Sequence, residues 1–65
     1  MNAFNIGYEA FKNEEPCTPS MNENLQAILK SCKPWSGEYM EALKEFKAGV
    51  QKASDEWEVE FFANA

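Results

Sequence analysis

Tyr39-Met40-Glu41-Ala42-Leu43-Lys44-Glu45-Phe46-Lys47-Ala48-Gly49-Val50-Gln51-Lys52-Ala53-Ser54-Asp55-Glu56-Trp57 carries the pattern that decides the fold. Within it Tyr39, Leu43, Phe46, Val50, Ala53 and Trp57 follow one another at steps of four, three, four, three and four. Side chains at that spacing share one side of an α-helix, so the stretch predicts a long amphipathic helix with an apolar seam laid against another element. The seam runs into an acidic, aromatic tail, Asp55-Glu56-Trp57-Glu58-Val59-Glu60-Phe61-Phe62, where three local structures compete. A continuous helix would set four acids against the negative end of its dipole. Ser54 followed by Asp55 and Glu56 has the form of a fresh helix start, which would make the helix pause near Ala53-Ser54. Trp57, Val59 and Phe61 alternate with Glu58 and Glu60 as a strand would, and such a strand would pair with Phe4 to Tyr8 or with the sheet edge of another protein. A helix extending toward Phe62 is the reading adopted.

Working outward, 65 residues permit one domain. A chain this short buries only about 60% of the surface its unfolded form exposes and usually needs a staple, for which a disulfide, a metal or a second subunit are the candidates. With no histidine and two cysteines, Cys17 and Cys32, neither a four-cysteine nor a mixed cysteine/histidine metal site can be assembled from one chain. Bridging the two cysteines would require Cys17 to Ser20 to fold back along a predicted helix, and the pairing stays open. Met1-Asn2-Ala3-Phe4-Asn5 lacks the basic and apolar regions of a signal peptide, and no stretch nears the roughly 18 apolar residues of a membrane span. Two free thiols in a cytoplasmic protein are the expectation.

The net charge of −5 is unevenly placed. Residues 1–54 hold seven acids and six lysines, a balance of −1, while Asp55, Glu56, Glu58 and Glu60 supply the remaining −4. Every base is a lysine, and the absence of arginine removes the side chain best suited to bidentate contact with phosphates and bases. Direct binding to nucleic acid or to an anionic membrane is therefore disfavoured.

Two proline-marked breaks divide the chain. Phe4, Tyr8 and Phe11 predict a first helix over Asn2 to Lys12, although Phe4, Ile6 and Tyr8 also alternate with period two. Pro16 and Pro19 make Glu14 to Pro19 a loop. Ser20-Met21-Asn22-Glu23 has the form of a capping box and predicts a second helix, Met21 to Cys32, with Met21, Leu25, Ile28, Leu29 and Cys32 buried. Lys33-Pro34-Trp35-Ser36-Gly37 ends it, and Ser36 caps a third helix over Gly37 to Ala53 with its extension.

Phe4-x-x-Gly7-Tyr8-x-Ala10-Phe11, a loop with Pro16-Cys17, and Phe46-x-x-Gly49-Val50-x-x-Ala53 resemble the ribosome modulation factor family, over about sixteen positions. The resemblance implies a small helical hairpin. The chain departs from the family in its Pro-Cys order, its additional middle helix and Val50 at a position where tryptophan is preferred. It is also acidic where ribosome-associated members are basic, so the ribosome-binding role does not carry over with the fold. Whatever the kinship, Gly7 and Gly49 each cost a helix roughly 1 kcal/mol relative to alanine. They either let two helices approach closely or mark a tolerated kink.

No catalytic arrangement is evident: there is no histidine base, no glycine-rich phosphate loop and no metal pattern. Glu14/Glu15 and Glu58/Glu60 read as solvated charges and Cys17 as an ordinary thiol. Nine of the 65 residues are aromatic, more rings than three short helices bury with ease, so at least two should point outward or into a second copy. The sequence thus predicts a small all-α domain of three helices, a hairpin plus a third, with the seam available for homodimerisation. Residues 55–65 form its acidic aromatic tail. The expected function is that of a non-enzymatic, cofactor-free binding module, in the manner of phage or mobile-element accessory proteins that inhibit or redirect a larger host protein with a basic surface. Its contact residues would be Trp57, Glu58, Glu60, Phe61, Phe62, Asp55, Glu56 and Trp35. A nucleic-acid mimic blocking a DNA- or RNA-binding cleft, and a ribosome-associated factor, are the rival readings.

Overall fold

The computed structural model describes residues 2–63. They form three α-helices, α1 (Ala3–Lys12), α2 (Glu23–Leu29) and α3 (Gly37–Ala63), with a 3₁₀ turn at Pro19–Met21 and no strand among the described residues. The strand alternatives for Phe4 to Tyr8 and for the tail are therefore corrected to helix. Asn64 and Ala65, the last two positions of the predicted tail, lie outside the described residues.

α1 starts on Asn2, whose side-chain oxygen accepts from the Asn5 N–H at 2.8 Å and covers one of the donors a helix start leaves open. It ends in a Schellman turn: Glu15 N–H donates to the Ala10 carbonyl at 2.8 Å and Glu14 N–H to that of Phe11 at 3.4 Å. The turn requires a left-handed residue, and Glu14 takes that conformation, φ 58°, where glycine is usual. The second break is built the same way. Ser36 N–H donates to the Lys33 carbonyl at 3.1 Å across Pro34-Trp35, and Trp35 holds φ 61° at the position that a type II turn ordinarily gives to glycine. Ser36 then caps α3 as predicted, its hydroxyl oxygen accepting from Tyr39 N–H at 3.3 Å.

The second helix is shorter than its sequence pattern predicts. Ser20 is not its cap. The chain makes the 3₁₀ turn first, and the buried Asn22 caps α2 by accepting from Leu25 N–H at 3.0 Å while donating to the Pro16 carbonyl at 2.9 Å. Asparagine caps as well as serine does, and Asn22 alone can also tie down the preceding loop. In consequence Met21 stands outside the helix, exposed rather than buried, and α2 stops at Leu29, short of Cys32. Both cysteines are free thiols, Cys17 exposed and Cys32 partly buried.

The closest packing joins α1 to α3, and it runs backbone to backbone. A Cβ added to Gly7 would collide with the Phe46 carbonyl oxygen and lie 3.0 Å from its carbon. One added to Gly49 would collide with the Phe4 carbonyl oxygen and lie 2.8 Å from Tyr8 N. The contact is reciprocal: each glycine presses on the carbonyl of the phenylalanine three residues before the other glycine. A Cα hydrogen turned toward a carbonyl in this way forms a weak hydrogen bond of about 0.5–1 kcal/mol, which helps offset the glycines' cost in helix propensity.

Those small residues also shift the seam. The face α3 buries is Ala42, Phe46, Gly49 and Ala53, with Tyr39, Leu43 and Val50 partly buried along its border. The predicted spacing of four and three is right, but the stripe is rotated, because α1 comes nearest where α3 has no bulk. Leu25 and Leu29 of α2 close the core over Ala3, Ile6, Ala42 and Phe46.

α1 and α3 run in the same direction, Ala3 beside Ala42 and Lys12 beside Glu56, with α2 returning between their ends. The molecule measures 46 × 19 × 17 Å, and its long dimension is that of α3, 27 residues at about 1.5 Å each. α1, with 10 residues, covers less than half of it.

Candidate functional site

Beyond Ala53 the helix continues where its dipole disfavours four acids, and four contacts hold these turns. The Gln51 amide donates to Asp55 Oδ1 at 2.9 Å, one turn on. The Tyr8 hydroxyl of α1 donates to Glu56 Oε2. Trp57 and Phe61 stack with centroids 5.4 Å apart, and Phe61 meets Phe62 edge to face at 5.5 Å. Ser54 caps nothing, and the helix does not pause.

Lys12 supplies the cation that the end of α3 lacks. Its Nζ lies 3.3 Å from the Tyr8 hydroxyl and 4.9 Å from the centre of the Tyr8 ring. Its pKa is raised above 10.5, first by the hydrogen bond to Tyr8 and further by the nearby Glu56 and Glu60 carboxylates. A raised lysine pKa means that the folded chain favours the charged form. That contribution is present at pH below about 10.5 and is lost as pH rises through the higher folded value.

The helix period of 3.6 residues sorts the tail into faces. Glu56 and Glu60, four apart, turn toward α1. Trp57 and Phe61 share a second side, and Val59 and Phe62, three apart, share a third on nearly the opposite side, with Asp55 and Glu58 near the latter. Apolar bulk therefore stands on two sides of α3, and α1 has only one side to offer. Trp57 and Phe61 are each 55% exposed, Val59 68% and Phe62 72%.

The structure brings seven of the eight residues that the sequence predicts for a contact surface into these last turns, and separates the eighth. Trp35 stands at the other end of α3, roughly 30 Å away along the axis, exposed and tilted against Tyr39 with centroids 5.3 Å apart. Glu56 belongs partly to the fold, since it anchors Tyr8. The sequence pattern misses three neighbours from the other end of the chain. Phe11, Lys12 and Glu14 form, with Ala53, Glu56, Trp57 and Glu60, a cleft of about 470 Å³ between α1 and α3. Nothing in local spacing could have found them, because the contacts join residues more than 40 positions apart. The matched Phe-x-x-Gly motifs were the available signal.

The arrangement presents large rings and carboxylates together on the last turns of one helix. Among the described residues no group of three or more acids or cysteines is placed to hold a metal, and no helix is long and apolar enough to cross a membrane. No protein-family model, curated protein or solved structure matches the chain.

Proposed function

We propose that the chain is a non-enzymatic binding module that docks the last turns of α3 on a larger protein with a basic surface, modulating that protein by occupying the surface. The observation that carries this reading is the exposure of Trp57, Val59, Phe61 and Phe62, each more than half in solvent, on two sides of one helix. A helix apolar on opposite sides is ordinarily enclosed, and a short amphipathic segment with aromatic anchors is a common way to fill a groove on another protein. The charge names the kind of groove. No base follows Lys52 in the sequence, while Asp55, Glu56, Glu58 and Glu60 all do, which favours encounter with a positive surface and opposes pairing of two tails.

The test is capture of a discrete partner on the immobilised protein at physiological salt, with the partner identified and the binding repeated with purified components. Trp57→Ala with Phe61→Ala should abolish binding, and Glu58→Lys with Glu60→Lys should weaken it at least tenfold and reduce its salt dependence. Binding that survives both pairs of changes would sink the proposal.

A further inference from the structure

The side of α3 opposite its buried face carries a pattern that folds back on itself. Met40, Lys44, Lys47 and Gln51 follow one another at steps of four, three and four, and Asp55, Glu58 and Phe62 continue at four, three and four. At the helix period these positions form one stripe, roughly opposite the buried Ala42, Phe46, Gly49 and Ala53. Every residue of the stripe is exposed, with Met40 at 42% and Phe62 at 72%. The stripe is about 33 Å long, and Gln51 at its centre stands one residue from the middle of the Gly37–Ala63 helix.

About Gln51 the stripe is symmetric in spacing and opposite in charge. Lys47 and Lys44 lie four and seven residues before it, Asp55 and Glu58 four and seven after it, and an apolar side chain ends each arm eleven residues away. Such a helix is its own complement when a second copy lies antiparallel to it. Lys44 then meets Glu58, Lys47 meets Asp55 and Met40 meets Phe62, each twice, with Gln51 at the two-fold axis. A parallel pair in register would set lysine on lysine and acid on acid, so the charges select one orientation.

We propose that this face pairs with the same face of a second copy of the chain, α3 antiparallel to α3 about Gln51, in a closed two-fold dimer. The inference goes beyond docking on a larger protein and does not rest on it, because Trp57 and Phe61 lie off the stripe. Nor does the dimer use the predicted seam, whose Phe46 and Ala53 are buried within the chain. Asp55 accepts from the Gln51 amide of its own chain through Oδ1, and its carboxylate has further capacity for Lys47 of the second copy. Exposed ion pairs are individually weak, so they fix orientation more than strength. The expected dissociation constant is on the order of 100 µM, and the chain is monomeric at the low micromolar concentrations of a melt.

The experiment is sedimentation equilibrium of the full chain from about 10 µM to 1 mM. The mass should rise from monomer toward dimer. Lys44→Glu with Lys47→Glu, and separately Asp55→Lys with Glu58→Lys, should each weaken self-association at least tenfold, with circular dichroism unchanged because all four positions are exposed. An equimolar mixture of the two variants should recover a dimer at least as tight as the original. Orientation is read by thiol cross-linking in a chain carrying Cys17→Ser and Cys32→Ser. Lys44→Cys mixed with Glu58→Cys should give chiefly the mixed disulfide. A constant monomer mass up to 1 mM, no recovery on mixing, or self-linked Lys44→Cys as the main product would each overturn the proposal. None of these outcomes bears on capture of a larger partner, which is tested at Trp57 and Phe61.

Discussion

The middle of α3 and its last turns are one continuous helix put to opposite uses. Between Ala42 and Ala53 the inward face is small, with only Phe46 large, and backbones meet at Gly49. Between Trp57 and Phe62 the side chains are large and stand in solvent. The difference teaches that in this chain the size of an apolar residue is a poor guide to its burial. Along α3, small residues flank the buried Phe46 where α1 packs, and the bulky residues of the last turns stand in solvent.

The sharpest way to break that comparison is to truncate a ring on each side of it. Phe46→Ala, in the fully buried core, should lower the unfolding free energy by about 3–5 kcal/mol, enough in a domain of this size to leave much of the chain unfolded in a thermal or urea melt followed by circular dichroism. Next comes Gly49→Ala. Alanine is the better helix former, yet its Cβ would meet the backbone of α1, which cannot yield as a side chain could, so a loss of about 3 kcal/mol is expected. A Gly49→Ala protein as stable as the original would show that the helices do not lie this close. Glu14→Gly sharpens the comparison from the other direction by relieving the left-handed turn and stabilising the fold by about 1 kcal/mol, while weakening any contact the cleft makes. The smallest effect belongs to Phe62→Ala, which should stay within about 0.5 kcal/mol of the original in the same melts and still reduce partner binding. A large loss of stability there would mean the tail is core.

Much of this fold is legible in the residues. Three helices, the Ser36 cap, the two proline breaks and the outward rings all follow from spacing and local chemistry. The second helix is misjudged because Ser20 and Asn22 are equally good caps in isolation, and only the Asn22 bond to the Pro16 carbonyl decides between them. The rotation of the seam is hidden for a different reason: hydrophobicity counts Leu43 and Val50 above Gly49, whereas the close approach of α1 selects the glycine. The candidate site divides in the same way. Its tail is visible as a charge and aromatic cluster, while Phe11, Lys12 and Glu14 join it only through tertiary contact, and Trp35 leaves it because helix length cannot be read from residue type.

Gly7 and Gly49 stand 42 positions apart, and each meets the backbone of the other's helix, Gly7 at Phe46 and Gly49 at Phe4 and Tyr8. Folding must therefore close a loop of that size before its best packing can form, at an entropic cost of about 3 kcal/mol beyond the constant term. A helix of ten residues is marginal by itself in water, so α1 depends on the stretch of α3 around Phe46 and Gly49 that it packs against. A single backbone cut in the linker at 30–36 would turn the closure into a meeting of two separate fragments, and the domain would then hold together only at concentrations that favour their association.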